Sequence, residues 1–398
     1  MAKGRVACQE NAEKGIGKMK IGIVTFYRVA NYGAMLQANS LCRYLERMGH
    51  EVIFVRHSRC VSTRIPLWRA FVSRSLKGVR IKLKSYVCHP ITDFAKDYPQ
   101  TELCETIDAV KLATKDCDAF IVGSDQMWNP LWCSGVHSLP LVMLDFATED
   151  KIRISYAASF GTKEWREDQN AAEAGRMLKK FRAISVRENS GVELIETLSG
   201  RKDAKCLLDP TLLQTSAFYR EIIEKNVPCR KNGKKPYVFR YILDEWTDPK
   251  ELQAALGVAK AKLNITNVET DSKNAPGLLG VICRMLGVKA KITLPEWLEK
   301  IVSSEFVFTN SFHGTVFAIL FHRPFVSILI KGQMSGMNER ALSLLKLVGL
   351  EDRAVYSDEL EKISALADTP VDWHEVDSRL DRQRDLARQF LDRALGND

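Results

Sequence analysis

The chain has 398 residues, of which 45% are apolar and 27% are charged, and its formal net charge is +9. This length exceeds one ordinary core and predicts two domains. No apolar run approaches the ~20 residues of a membrane-spanning helix, which argues against an integral membrane protein. The ten cysteines form no CxxC pair, which favours free thiols in a reducing compartment, so we expect a cytoplasmic protein.

The first half of the chain alternates continuous apolar runs with helical patterns, as is typical of βαβ units around a parallel sheet. Residues 1–19 are polar and basic, so we expect a flexible tail and not a signal peptide. Strands are predicted over residues 21–26, 51–55, 119–122, 152–157, 183–186 and 204–208, and a helix over residues 34–48. We therefore predict an N-terminal Rossmann-like domain over residues 20–225.

The second half repeats this alternation after a basic stretch, residues 226–236, which we interpret as a linker. Strands are predicted over residues 237–243, 262–265, 305–308 and 325–330, helices over residues 295–302 and 313–321, and a long charged helix over residues 371–395. These elements predict a C-terminal Rossmann-like domain over residues 237–370. Residues 371–398 are expected to form a C-terminal amphipathic helix.

Four segments follow predicted strands directly, and open parallel sheets carry their sites at the carboxyl ends of strands. The first, NYGAMLQ, contains Asn31, Tyr32, Gly33 and Gln37. The free N–H groups and positive dipole end of the helix that starts here suit an anion. The alternative is that Asn31 only caps the helix and Gly33 only permits a tight turn.

Between this segment and the next, residues 66–85 predict a basic amphipathic helix suited to an anionic membrane surface. Its apolar face contains Trp68, Phe71, Val72, Leu76, Val79 and Leu83, and its basic face contains Arg69, Lys77, Arg80 and Lys84. The alternative is that the apolar face packs on the first domain.

The second segment, GSDQMWNP, contains Ser124, Asp125, Gln126 and Trp128 at the end of a buried strand. Its polar groups suit sugar hydroxyls, and the indole offers a stacking face. This pattern predicts a sugar-binding rim. The alternative is an Asx-type turn with a packed indole.

The third and fourth segments carry a cation and a histidine. Arg187 ends an apolar strand, and its planar fork matches a carboxylate or phosphate; the alternative is an ion pair with Glu188 or another acid. The segment TNSFHGT, residues 309–315, places His313 at a helix start, where it can act as a general acid or base unless it only caps or packs. By contrast, the D-x-D of Asp116 and Asp118 precedes its strand, so no metal site is expected there.

The motifs NYGAMLQ, GSDQMWNP, SVRE, LLDPT and TNSFHGTVFAILFHRPF occur in this order between about Lys20 and Arg353. With the early IGIVTF strand, they resemble the polysaccharide pyruvyl transferase family. The resemblance implies a GT-B-like fold with two Rossmann-like domains facing a central cleft. It implies phosphoenolpyruvate as donor and co-substrate, with no other cofactor and no metal. The implied acceptor is a sugar of a polysaccharide or of its lipid-linked precursor, on which a cyclic pyruvate ketal forms.

The candidate residues suit the implied reaction: His313 is the expected general acid, and Arg187, the second expected catalytic residue, offers a cation to the donor's carboxylate or phosphate. The expected donor-binding residues are Asn310, Ser311, Gly314, Thr315, Lys331 and Arg340. The expected acceptor-binding residues are Asn31, Tyr32, Gly33, Gln37, Ser124, Asp125, Gln126 and Trp128.

The chain departs from the family pattern at Ser311, two residues before the motif His, where family members often carry Arg. Lys331, Arg240 and Arg340 are the candidate replacements for that charge. Two other functions stay open: a GT-B-type glycosyltransferase that uses a nucleotide sugar, and a non-catalytic sugar-binding relative. Nucleic-acid binding is not expected, because the positive charge is not accompanied by a recognisable aromatic–basic module.

Overall fold

The computed structural model describes residues 17–58, 60–61, 72, 75–130, 139–165, 170–228, 235–243 and 247–396. Three predicted segments therefore fall wholly or partly outside the described residues. They are the N-terminal tail up to residue 16, most of the linker, and the part of the basic amphipathic segment before residue 75 other than Val72.

The N-terminal half is built on a six-stranded parallel sheet with the order β2-β1-β3-β4-β5-β6. Its strands are β1 Lys20–Val24, β2 Glu51–Phe54, β3 Ala119–Val122, β4 Ile152–Ala158, β5 Ala183–Val186 and β6 Lys205–Cys206. Its helices are α1 Tyr32–Arg47, α2 Leu76–Val87, α3 His89–Thr92, α4 Ile107–Ala113, α5 Leu139–Val142, α6 Ala171–Leu178, α7 Asn189–Ser199 and α8 Ser216–Asn226, with 3₁₀ helices at Asp93–Ala95 and Pro210–Leu213. Strand β3 is buried at every residue, because both faces of a parallel sheet are covered.

The C-terminal half contains a five-stranded parallel sheet with the order β13-β12-β11-β7-β8 and a two-stranded antiparallel ribbon of β9 and β10. The strands are β7 Tyr237–Tyr241, β8 Asn267–Thr270, β9 Ser272–Lys273, β10 Ala290–Lys291, β11 Phe306–Thr309, β12 Phe325–Ile328 and β13 Ala354–Val355. The helices are α9 Pro249–Leu263, α10 Gly277–Met285, α11 Leu294–Val302, α12 Phe312–Leu320, α13 Glu339–Val348, α14 Leu360–Asp368 and α15 Trp373–Leu395, with 3₁₀ helices at Gly332–Asn338 and Glu351–Arg353.

The predicted architecture is confirmed: the chain forms two Rossmann-like parallel sheets in a GT-B-like arrangement with a long C-terminal helix. The predicted strand over residues 262–265 is wrong, because α9 continues to Leu263. Asn264 then ends the helix in the left-handed region, with a φ of 53°. The buried positions of this helix recur at helical spacing, at Leu252, Ala255, Leu256 and Ala259. The next strand begins only at Asn267.

The two halves share one hydrophobic core. The ring of Tyr32 in α1 stacks on Trp297 in α11, with 5.1 Å between centroids. The ring of Tyr219 in α8 meets Phe317 in α12 edge to face at 4.8 Å. Aromatic contacts of this kind stabilise beyond their buried area, so the halves are joined by packed apolar surface and not by the linker alone.

The C-terminal helix α15 contacts both halves. Near its start, Trp373 stacks on His322 of the C-terminal half, with 5.0 Å between ring centroids. Farther along, Arg384 donates from Nε to the carbonyl of Leu212 in the N-terminal half, at 2.8 Å. The helix therefore spans the two halves on the side of the shared core. Among the described residues, no helix combines the length and apolarity that crossing a membrane requires.

Candidate active site

A cavity of about 680 Å³ lies between the two halves. Its walls come from the carboxyl ends of β1 and β3 in one half and of β7, β11 and β12 in the other. This is the edge at which parallel sheets carry their sites. Eight of the predicted site residues line it: Asn31, Tyr32, Asp125, Gln126, Asn310, Ser311, His313 and Arg340.

The turn between β11 and α12 fixes His313 at the cavity wall. The Ser311 hydroxyl caps α12 by accepting from the Gly314 amide at 3.3 Å. The Thr309 hydroxyl donates to the carbonyl of Tyr241 at 2.6 Å, which ties the end of β11 to β7. A Cβ on Gly314 would lie 2.3 Å from the Thr309 hydroxyl, so Gly314 is present for close packing.

Helix α1 of the other half packs directly on the imidazole of His313. A Cβ added to Gly33 would lie 1.9 Å from His313 Nδ1, so only glycine fits at this position. The helix start is fixed by Asn31, whose Oδ1 accepts from the Ala34 amide at 3.1 Å. Asn31 therefore has the capping role that the alternative interpretation gave it, and it also lines the cavity. Gly33 does not form the tight turn of that alternative, because it lies inside α1, where the close approach of His313 requires glycine.

Behind His313 lies Asp209, a buried carboxylate whose role sequence reasoning missed. Its Oδ1 accepts from the Thr211 amide at 3.0 Å and hydroxyl at 2.6 Å. Its Oδ2 accepts from the Ser124 hydroxyl and from Arg187 Nη1, both at 2.7 Å, and lies 3.6 Å from His313 Nε2. Burial alone would raise the pKa of the Asp209 carboxyl, but His313 and Arg187 together hold it well below its usual value. Asp209 is therefore a buried anion beside the ring of His313, and at 3.6 Å it lies beyond hydrogen-bond distance of Nε2.

Arg187 lies behind the cavity wall and does not line the cavity. Its guanidinium stacks on the ring of Phe312 at 4.3 Å and pairs with Asp209. Its Nη2 lies 3.9 Å from the Asp125 carboxylate. The alternative prediction, that Arg187 forms an ion pair with Glu188 or another acid, is therefore confirmed. The acid is Asp209 and not Glu188. The predicted catalytic role of Arg187 stays a prediction, and the structure shows Arg187 in contact with Asp209.

Arg340 is the buried cation that lines the cavity. It is 9% exposed, and its Nε donates to the Met337 carbonyl at 3.4 Å. Within the described parts of the chain, its guanidinium forms no ion pair with any carboxylate. Burial, and secondarily the nearby Arg187, lower the pKa of Arg340 to about 10. The side chain is therefore charged at neutral pH and has no ion-pair partner among the described residues, so its position is compatible with an anionic ligand in the cavity.

The other two candidate cations lie elsewhere. Lys331 pairs with Glu251 at 3.1 Å and Asp358 at 2.9 Å and does not line the cavity. Arg240 in β7 does not line it either. Three cations were candidates to replace the charge that is missing at Ser311. Of these, only Arg340 lines the cavity.

The sugar-binding rim is only partly assembled. Asp125 and Gln126 line the cavity, with Asp125 in the left-handed region at a φ of 70°. Trp128 is fully buried, and its indole donates to the carbonyl of Val142 at 3.0 Å. A stacking role for Trp128 is therefore wrong, because the ring packs against Phe160 in the core.

Four more predicted residues are internal. Gln37 donates to the Thr25 hydroxyl at 2.9 Å and is fully buried, and the hydroxyl of Thr315 contacts that of Ser327 at 3.0 Å. Ser124 bonds to Asp209, and Gly314 packs on Thr309. These four support the cavity wall from behind and do not line it.

Asn310 lines the cavity and contains a buried, unsatisfied donor. Its Oδ1 accepts from the Leu243 amide at 2.8 Å. Its Nδ2 is buried and has no hydrogen-bond partner among the described residues. Since an unpaired buried donor costs free energy, this amide is a natural contact for an acceptor group on a ligand.

The far end of the cavity contains residues that sequence reasoning did not assign to the site. Lys84 of α2 and Lys291 of β10 line it, and Lys291 pairs with Asp271. Lys84 lies on the basic face of the helix predicted over residues 66–85, whereas Lys291 and Asp271 lie in a region for which the sequence predicted no element, so no strand-end rule pointed to them. Among the described residues, no group of three or more His, Cys, Asp or Glu side chains is arranged to hold a metal ion.

Comparison with solved structures returns proteins of low sequence identity. A putative UDP-N-acetylglucosamine 2-epimerase from Listeria monocytogenes is 12% identical with a TM-score of 0.48, covering 93% of this chain and 91% of its own. The UDP-GlcNAc 2-epimerase from Neisseria meningitidis, bound to UDP-GlcNAc, is 10% identical with a TM-score of 0.45, covering 93% and 94%. The UDP-GlcNAc 2-epimerase from Methanocaldococcus jannaschii is 10% identical with a TM-score of 0.45, covering 89% and 93%.

At the level of sequence, no curated protein matches the chain. A protein-family model described as "Polysaccharide pyruvyl transferase" matches residues 31–331. That range begins at the Asn31 cap of α1 and includes His313, Asp209 and Arg187. It ends at Lys331, just before the helix that carries Arg340.

Proposed function

The chain belongs to the polysaccharide pyruvyl transferase family, and from that premise we propose that it moves the pyruvyl group of phosphoenolpyruvate onto a sugar as a cyclic ketal. The observation that carries the proposal is Arg340, a buried guanidinium that lines the cavity without an acidic partner among the described residues. A small donor with a carboxylate and a phosphate would supply the missing negative charge. The guanidinium fork matches either group with two parallel hydrogen bonds.

Two neighbouring groups complete the donor site in this proposal. The start of α12 presents N–H groups and the positive end of the helix dipole to an anion. The Asn310 amide supplies a further donor. Arg340 thus takes the place of the arginine that the family often carries at the position of Ser311, and it comes from a different part of the chain.

The proposed reaction begins when His313 donates a proton to the methylene carbon of phosphoenolpyruvate, which makes the adjacent carbon electrophilic. The oxygen of one sugar hydroxyl bonds to that carbon and releases its proton. The carbon–oxygen bond to phosphate then breaks, and inorganic phosphate departs. The oxygen of a second hydroxyl bonds to the same carbon and loses its proton, which closes the ketal ring.

On the acceptor side, Asn31, Asp125 and Gln126 line the cavity from the N-terminal half and offer hydrogen bonds to sugar hydroxyls. We propose a sugar of a polysaccharide or of its lipid-linked precursor as the acceptor, handled in the cytoplasm. Fixed cationic groups balance the donor charge in this scheme, so the reaction should proceed in the presence of a chelator.

The test is turnover in heavy water with phosphoenolpyruvate and a panel of synthetic glycosides. We expect phosphate release matched by a mass gain on the sugar, with one deuterium in the new methyl group per turnover, because solvent supplies the added hydrogen. Product that forms only from a nucleotide sugar, or a ketal methyl group without deuterium, would contradict the proposal and favour glycosyl transfer.

A further inference from the structure

Two helices from opposite halves of the chain lie side by side at the far end of the cavity. Helix α2 of the N-terminal half and helix α10 of the C-terminal half share a small buried cluster that includes Leu83, Val87 and Cys283. This cluster is separate from the main core. We call the outer side of these two helices the α2–α10 surface.

The α2–α10 surface exposes apolar side chains in a regular row. Leu278, Val281 and Met285 follow one another at helical spacing on α10, and Leu278 and Met285 are 76% and 81% exposed. On α2, Leu76 and Ile81 are 77% and 60% exposed. Single exposed apolar residues are ordinary, but a row of them on adjacent helices is typical of a binding surface.

The same surface carries unbalanced positive charge. Exposed basic residues accompany the apolar row: Lys77, Arg80, Lys84, Arg284 and Lys289. None of them forms an ion pair with a residue in the described ranges. The stretches 57–92 and 272–295, which contain both helices, have no Asp or Glu at all. The surface is therefore complementary to a partner with dense negative charge.

We infer that the α2–α10 surface docks the protein on an anionic lipid surface. Protein–protein interfaces are depleted in lysine, whereas helices that lie in a membrane interface combine apolar side chains with Lys and Arg. Each basic side chain gains electrostatic energy near anionic lipids. The apolar row, lying between these charges, is placed to enter the boundary between headgroups and acyl chains.

The docking face differs from the one that the sequence predicted for residues 66–85. Leu83 was expected on the membrane face, but it is buried against α10. Val72 and Leu76 are exposed as predicted, Ile81 is exposed in addition, and α10 supplies the longer apolar row. Trp68 and Phe71 lie outside the described residues.

Docking in this orientation brings the cavity to the lipid headgroups, because Lys84 of α2 lines the cavity and Lys291 beside α10 does so too. A sugar carried on a lipid could then enter the cavity without leaving the membrane. The inference goes beyond the proposed function and does not depend on the identity of the donor.

The experiment is co-sedimentation of the full chain with vesicles of phosphatidylcholine alone or of an equimolar mixture with phosphatidylglycerol. We expect binding to the mixed vesicles only, weakened by salt. The variant Lys77→Gln/Arg80→Gln/Arg284→Gln should bind on the order of 100-fold more weakly, because each basic residue contributes about fivefold. The variant Leu278→Ser/Val281→Ser/Met285→Ser should lose binding as well.

Two matched controls use exposed residues outside the surface. Lys111→Gln/Lys202→Gln/Lys225→Gln removes the same charge, and Leu112→Ser/Leu386→Ser removes exposed apolar side chains. Both should bind vesicles like the wild type, and circular dichroism should show that all variants are folded.

Failure of the wild type to bind mixed vesicles, or equal loss of binding in the controls, would overturn the inference. A second result would also overturn it: sedimentation velocity shows that the wild type is a dimer and the apolar variant a monomer, while the variant still binds vesicles. In that case the α2–α10 surface would join two copies of the chain instead of docking on lipid. The vesicle assay contains no phosphoenolpyruvate, so a negative result in it does not contradict the pyruvyl-transfer proposal. Equally, a failure of the pyruvyl-transfer test does not contradict membrane docking.

Discussion

His313 is held from two sides by groups that belong to the other half of the molecule. Asp209 lies 3.6 Å from its Nε2, and the α1 backbone at Gly33 closes against Nδ1. Neither contact can form until both halves have folded and packed. The orientation of the proposed general acid is therefore a property of the assembled chain.

The first prediction concerns this histidine. His313→Gln should lower kcat by about 10²–10⁴-fold, because a general acid typically contributes that much, and thermal unfolding should stay near that of the wild type. His322→Gln is the matched control, since this residue follows the same helix but pairs with Asp377. Activity of His313→Gln within a few-fold of the wild type would remove His313 from the mechanism.

The second prediction concerns Arg340. Arg340→Lys should raise KM for phosphoenolpyruvate by about 10- to 100-fold, because a hydrogen bond to a charged group contributes ~1.5–3 kcal/mol and lysine cannot form the planar pair. Arg340→Met should raise it further. Arg323→Lys is the control, because Arg323 donates to backbone carbonyls outside the cavity. Unchanged donor KM in both Arg340 variants would assign the anion site to other groups.

At the scale of elements, the first turn of α1 packs against the imidazole of His313 and limits where the ring can lie. Glycine is needed at position 33 because any side chain there would collide with the ring of His313. The backbone conformation of Gly33 does not require glycine, since its φ lies outside the left-handed region. This distinguishes it from Gly200 and Gly349, which end helices with φ values of 75° and 74°. A helix start from one half thus sets the position of a side chain in the other.

The third prediction follows from this contact. Gly33→Ala should lower activity by about 100-fold or more, because the new Cβ forces the ring away and a shift of ~1 Å is enough for such a loss. Gly257→Ala is the control, since Gly257 lies inside α9 with nothing within 4 Å of an added Cβ. It should retain activity and gain about 0.4–1 kcal/mol in unfolding free energy. Near wild-type activity in Gly33→Ala would contradict the packing argument.

The order of the elements was predictable because apolar runs and helical periods alternate strongly. The bounds of the predicted strands and helices agree with the structure within two residues, except for the strand over 262–265, which is wrong, and the helix over 66–85, which begins at Leu76 in the described part of the chain. The strand-end rule also found His313, Asn310 and Asp125. It missed Asp209, although this residue directly follows the strand predicted over 204–208, because the local pattern does not reveal that Arg187 and His313 meet at its carboxylate. It assigned Trp128 to the rim, because residue type does not reveal whether an indole faces a cavity or a core.

At the scale of the whole molecule, one core runs through both halves and the C-terminal helix joins them. The sequence suggested two domains separated by a linker, because the basic stretch with two prolines reads as a boundary. Contacts such as Tyr32 with Trp297 could not be read from local pattern, since they join residues far apart in the chain.

The fourth prediction is that the halves unfold together. Scanning calorimetry should show one transition, with calorimetric and van't Hoff enthalpies in agreement, because neither half can expose the shared core alone. Hydrogen exchange in β3 and in β11 should report the same opening free energy. Two resolved transitions, or separate opening of the two sheets, would show that the shared core is too weak to couple the halves.

The shared core also limits how this chain can be recombined with its relatives. Enzymes built from separable modules exchange a donor half or an acceptor half and acquire new specificity in one step. Here an exchanged half would have to match the aromatic partners of Tyr32 and Tyr219 and leave room at Gly33 for the histidine of the new neighbour. Changes of acceptor preference in this lineage should therefore arise through substitutions around the cavity and not through shuffling of whole halves.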